Sequence, residues 1–200
     1  MKNLKKFMML LLAVVLFTSG SCSGDEDFML PTITQTGENT FGCYIDGKLF
    51  YPRDGSGTLG SPSTNHTVSW IGSGDNTYNE LEVNNFQDGK PINNFIMHFQ
   101  TSSENLLGEY IWQKSNFEDG IDSYDHTHLF IRAYDYKEGI FKWYGSLKNS
   151  GKTIITRRDG GIVSGTFSGI LTEEGGTNTV EITNGRFDIN TFTIFDYPFP

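Results

Sequence analysis

Alanine is almost missing from this chain. Beyond the first 21 residues it occurs once, at Ala133, against 19 threonines and 22 glycines. Such a composition disfavours helices and suits strands joined by tight turns. Cysteine is scarce as well, with only Cys22 and Cys43, so a disulfide-dense scaffold is excluded. No run approaches 18 consecutive apolar residues; the longest, Phe7–Phe17, would span ~16 Å as a helix, about half of a ~30 Å hydrocarbon core. Heptads, collagen periodicity and repeats of ~35–45 residues are also missing, which argues against coiled coils, propellers and solenoids. There is no Gly-x-Ser-x-Gly, phosphate loop, dinucleotide fingerprint or paired CxxC.

What is present begins with an export signal over residues 1–21. Lys2, Lys5 and Lys6 precede the apolar run, and Thr18-Ser19-Gly20-Ser21 follow it. Cys22 stands where bacterial lipoproteins are cleaved and lipidated, although Ser19 occupies a position where Leu is common. The expectation is a lipid anchor on Cys22. Residues 22–38 then read as a polar linker, and Ser23-Gly24-Asp25-Glu26-Asp27 resembles the acidic tract that in Bacteroidetes lipoproteins marks export to the outer face of the outer membrane; the periplasmic face is the alternative. With the signal removed, 12 basic residues face 24 acidic ones, a field that repels nucleic acid. Cys43, in the strand-like run Phe41–Ile45, reads as a small buried hydrophobe.

The rest, 39–200, reads as a single all-β domain of about eleven strands, an antiparallel β-sandwich or flattened β-barrel. Asp46-Gly47 between two apolar runs predicts a type I′ hairpin. Phe95, Met97 and Phe99 alternate with polar neighbours, as do Leu129, Ile131 and Ala133. Gly165 and Gly169 fall in the apolar register of Val163, Phe167 and Leu171, which predicts bulges or close approach by another group. The run from Gly139 to Arg158 reads as two strands, as does Thr179–Phe195, and Ser103–Leu107 could hold one helical turn.

Two segments carry a resemblance. Thr34-Gln35-Thr36-Gly37-Glu38-Asn39-Thr40-Phe41-Gly42-Cys43, with Asp46-Gly47-Lys48, is similar to the start of a family of Bacteroidetes lipoproteins that has no assigned activity. Ser164-Gly165-Thr166-Phe167-Ser168 and Thr183-Asn184-Gly185-Arg186-Phe187-Asp188-Ile189 resemble that family's closing strands. The likeness covers both ends, is poor over roughly 55–150, and leaves Asn190–Pro200 unplaced. It implies an all-β lipoprotein and carries no catalytic residue.

Four constellations could bear chemistry. The aromatics Trp70, Trp112, Tyr134, Tyr136, Trp143 and Tyr144 could form a platform for a glycan or another small molecule, since flat rings with a polar edge suit mixed surfaces; core packing is the competing reading. Glu118–Asp125 is an acidic turn whose Asp119, Asp122 and Asp125 could supply oxygens to calcium, though it lacks the EF-hand spacing. His126 and His128 share a strand face and could contribute to a zinc site with His66 or His98. Glu80 and Glu82 stand ~6.7 Å apart along one face, a spacing known from inverting glycosidases, yet Leu81 and Val83 on the other face put them on the solvent side. The functional expectation is a non-catalytic binding or accessory module for a glycan or small molecule, without an obligate cofactor. A structural partner of an outer-membrane complex is the alternative, and a hydrolase using the histidines or paired carboxylates ranks below both.

Overall fold

The structure is a computed structural model that describes residues 28–55, 67–72, 78–86, 92–100, 107–135 and 137–200. The signal segment, Cys22, the acidic tract 25–27, His66, Tyr136 and the helical turn expected over 103–107 (save Leu107) lie outside these residues.

Ten antiparallel strands form one curled sheet, a half-barrel, and no α-helix occurs among the described residues. The strands are β1 (Thr40–Ile45), β2 (Lys48–Phe50), β3 (Val68–Gly72), β4 (Tyr78–Asn84), β5 (Ile92–Gln100), β6 (Gly108–Ile111), β7 (His128–Asp135), β8 (Ile140–Asp159), β9 (Ile162–Glu173) and β10 (Thr179–Asn190). Their order is β2-β1-β10-β9-β8-β7-β5-β4-β3, with β6 paired to the distal half of β8. Short connections make sequence neighbours sheet neighbours in most of this path, as expected for antiparallel architecture.

The count is ten rather than about eleven because two pairs of expected strands are continuous. In β8 the register shifts between Ser146 and Gly151, and in β10 between Ile182 and Gly185. Asn149 and Asn184 sit there with φ of 64° and 54°. Asparagine tolerates the left-handed region, so these residues look like turns in sequence but build bulges that bend a continuing strand. The hairpin at Asp46-Gly47 is as expected, with φ of 49° and 73°.

Period-two patterning places the core on the concave side. Phe41, Phe50, Phe95 and Phe167 stack or meet edge to face at centroid distances of 5.1–6.0 Å. Leu81, Val83, Met97, Leu129, Ile131, Leu171 and Ile189 complete the apolar lining. The core glycines make room for rings. A Cβ on Gly151 or Gly169, paired across β8 and β9, would come within 2.3 or 2.5 Å of the Trp112 indole. At Gly165 it would lie 2.7 Å from the Phe187 ring.

The two ends of the chain close the structure. From Phe28 onward the expected linker does not run free but crosses the convex side of β1, β10 and β9. Asp188 in β10, 1% exposed, accepts hydrogen bonds from Thr34 Oγ1 (2.7 Å), the N–H groups of Thr36 (2.9 Å), Gly37 and Glu38, and Ser164 Oγ (2.7 Å). Arg186 donates to the Pro31 carbonyl at 3.0 Å, and Arg157 donates to that of Gln35. The two sequence segments that carry the resemblance therefore bind each other directly. The tail after Asn190 packs against β3, burying Ile194 and Phe199. The Phe199 N–H donates to Asp54 at 2.9 Å, and Thr67 Oγ1 donates to the same carboxylate. A bridge from Arg53 to Asn85 ties the chain after β2 to the end of β4, drawing the sheet's two borders together at this end.

Candidate functional site

A cavity of about 670 Å³ opens at one end of the half-barrel. Its walls come from the β1–β2 turn (Ile45, Asp46, Lys48–Phe50), the end of β7 and the turn after it (Ala133–Asp135, Lys137, Glu138), Tyr144 of β8, Asn85, and Asn178 with Val180 before and in β10. The strand pattern gives this cavity its two-part chemistry. Ile45, Phe50, Ala133 and Val180 supply an apolar floor, while turn residues supply a charged rim. That volume lies within the ~300–1,000 Å³ range of small-ligand sites.

Tyr144 brings a phenol to the wall, only 9% exposed, and its pKa is raised by burial and by the nearby Glu173 carboxylate. It is a neutral hydrogen-bonding group at ordinary pH. Below the rim, Lys142 Nζ is held by Asp135 (3.0 Å), Glu138 (2.8 Å) and Glu173 (3.0 Å). These bonds, from Glu138, Glu173 and Asp135, raise the lysine's pKa, and the lysine in turn lowers those of Asp135 and Glu173. The cluster fastens the β7–β8 turn to the end of β9, fixing two sides of the mouth.

The aromatic platform expected from sequence is divided by the fold. Tyr144 and Tyr134 line the cavity. Trp70 and Trp112 do not belong to an exposed surface. Trp70 is 7% exposed and stacks on Phe99 at 5.6 Å; Trp112 is fully buried, its Nε1 donating to Thr153 Oγ1 at 2.9 Å. Both fall on the concave register, where alternation sends side chains to the core. Trp143 lies on the convex side beside Arg132, remote in character from the apolar floor.

The histidines and acidic turn also resolve. The segment 113–127 folds over the convex face of β4, β5 and β7. Glu80 is thereby buried, at 3% exposure, rather than solvent-facing. Its Oε2 accepts from the Gly120 N–H at 3.0 Å and lies 3.1 Å from His98 Nδ1. His98 stacks on His128 with centroids 5.2 Å apart, and His128 Nε2 lies 3.1 Å from Ser123 Oγ. Burial, together with His98 and His126, pushes the His128 pKa down to about 4. His126 Nε2 meets the Lys114 carbonyl at 2.8 Å. Asp119, Asp122 and Asp125 are exposed, whereas one nitrogen of each imidazole faces Ser123, Glu80 or Lys114. Among the described residues no three His, Cys, Asp or Glu side chains come together to hold a metal ion. The Ser123–His128 pair lacks a carboxylate on the imidazole, because Glu80 is engaged by His98, so it is not the arrangement that activates a serine nucleophile. Glu82 accepts from Asn84 and Asn94 and does not face Glu80's partners. Cys43 is fully buried, and burial raises its thiol pKa far above the ordinary value.

Sequence reasoning missed Asp188, whose partners are distant in the chain, and Lys142, whose third carboxylate, Glu173, lies on another strand. No family model, curated protein or solved structure matches this chain.

Proposed function

We propose that this chain is a non-catalytic binding module, anchored through Cys22 to the outer membrane and facing the cell exterior, that holds a glycan or another small amphipathic molecule in the mouth of the half-barrel. The observation that carries the reading is the cavity itself, which combines an apolar floor with Tyr134, Tyr144, Asn85 and Asn178 as polar groups. Few convergent polar groups over an apolar floor suit orientation of a bound ligand. The layout of residues 1–27 supports the anchor.

A thermal-shift panel of neutral and acidic oligosaccharides, lipids and calcium tests it. Ligand at 100 times its Kd adds ~2.7 kcal/mol, raising Tm by roughly 5–10 °C for a domain of this size. The shift should vanish in Ala133→Phe, which fills the cavity floor. A panel without shifts sinks the small-ligand reading and favours a protein partner, and a shift by a neutral glycan or lipid that survives Ala133→Phe removes that ligand from the mouth.

A further inference from the structure

The convex face offers a second surface, which meets the mouth at Tyr134. Register aligns Asn84, Asn94, Arg132 and Trp143 across β4, β5, β7 and β8. One row further along β7 and β8, Tyr134 pairs with Phe141. The segment 113–127 covers the neighbouring rows, where Phe117 packs on Phe130, but these rows remain at the surface: Phe141 is 38% exposed, and Arg132, Trp143, Asn84 and Asn94 are half-buried.

Arg132 is the decisive residue. Its guanidinium lies 4.2 Å from the Phe141 ring centroid and 5.7 Å from that of Trp143. Among the described residues no carboxylate pairs with it and no acceptor takes its N–H groups. The two rings hold the guanidinium against the sheet, and its N–H groups stay open to a bidentate oxyanion. An unpaired, pre-oriented cation is conspicuous in a chain with 24 acidic against 15 basic residues. The neighbouring groups narrow the ligand further. Glu82, which accepts from Asn84 (3.0 Å) and Asn94 (3.4 Å), can also accept a hydroxyl hydrogen, which favours a ligand that carries hydroxyls beside its carboxylate. A ring with both a carboxylate and hydroxyls satisfies the whole row.

We propose that this strip binds an acidic saccharide, with a uronate carboxylate on Arg132, the sugar ring against the exposed part of Trp143, and hydroxyls on the Asn84–Asn94–Glu82 group. The test uses the full chain in native gels containing polygalacturonate or neutral dextran. A net-negative protein has no general attraction to a polyanion, so retardation by polygalacturonate reports a local site. Retardation is expected with polygalacturonate alone, weakened at least tenfold in Arg132→Gln and Trp143→Ala, only partly restored in Arg132→Lys, and unchanged in the mouth variant Ala133→Phe. Because Trp70 and Trp112 are buried, acrylamide quenching of the wild-type chain reports chiefly on Trp143 and should fall when polygalacturonate is added. Absent retardation, equal retardation of Arg132→Gln, or unaltered quenching in the wild type overturns the proposal. Loss of binding in Ala133→Phe with Arg132→Gln unaffected would move the acidic sugar to the mouth and also overturn it.

Discussion

The Gly37 N–H reaches both carboxylate oxygens of Asp188, at 2.9 and 3.0 Å, across 151 residues of chain. Gly37 has a φ of 79°, a left-handed conformation that turns successive N–H groups toward one point, so Thr36, Gly37 and Glu38 form a cradle for the anion. Burial alone would raise the Asp188 pKa, but the hydrogen bonds from Ser164, Thr34, Gly37 and Thr36 outweigh it and hold the pKa below its ordinary 3.8.

Asp188→Asn should therefore destabilise the fold by about 2–3 kcal/mol, because an amide turns an N–H toward donors and loses charge-assisted bonds. Stability from this group is present above the ordinary carboxylate pKa and is lost as pH falls through the folded value, so wild type and variant should converge in urea melts near pH 2. A persistent gap at that pH would assign the loss to shape rather than charge.

His128 acts in a different window. Its folded pKa of about 4 lies below the ordinary 6.5, so between those values the unfolded chain binds more protons and stability declines as pH falls. The decline should be on the order of 3 kcal/mol and should be absent in His128→Gln. Urea titrations at pH 7, 5.5 and 4 separate it from the Asp188 effect, and NMR of the imidazole should show no titration at pH 6–7.

Trp112 and Gly169 should behave as a coupled pair. Gly169→Ala puts a methyl where the indole and the Gly151 backbone already lie, and overpacking of this kind costs about 1–3 kcal/mol. In Trp112→Leu the same change should cost less, while the Gly151 Cα and the Ser150 carbonyl, at 2.5 and 2.6 Å, keep part of the penalty. A double-mutant cycle with no coupling energy would show that the indole does not set the requirement for glycine.

Lys142→Met should leave Asp135, Glu138 and Glu173 facing one another without a cation. The expected result is faster amide hydrogen exchange at 135, 137–139 and 173–178, confined to the mouth, with β5 and the part of β9 from 163 to 171 unaffected. Uniformly faster exchange would mean that Lys142 supports the whole sheet.

Much of this architecture was legible in the chain. The scarcity of alanine, the alternation in β5 and β7, and Asp46-Gly47 all lead to the curled antiparallel sheet, and Gly165 and Gly169 announce close contacts. Asn149 and Asn184 mislead because a left-handed asparagine serves a bulge and a turn equally well, and only pairing with β9 distinguishes them. Trp70 and Trp112 could be assigned to core or platform only once the strand faces were known. The tail was opaque for a related reason: Ile194 and Phe199 are buried against β3 and Asp54, elements more than a hundred residues earlier. Lys142 gave no local sign, since two of its three carboxylates lie within a few residues but the third is on another strand.

The N-terminal crossing has a mechanical consequence. A pull on residue 28 first lifts Phe28 off Tyr51 and Arg53, just after the border strand β2. It then meets the bonds from Pro31, Thr34, Thr36 and Gly37 to Arg186 and Asp188, both on β10, which is flanked on either side by β1 and β9. Traction through the leader is delivered into an interior strand, where many ladder bonds must fail together.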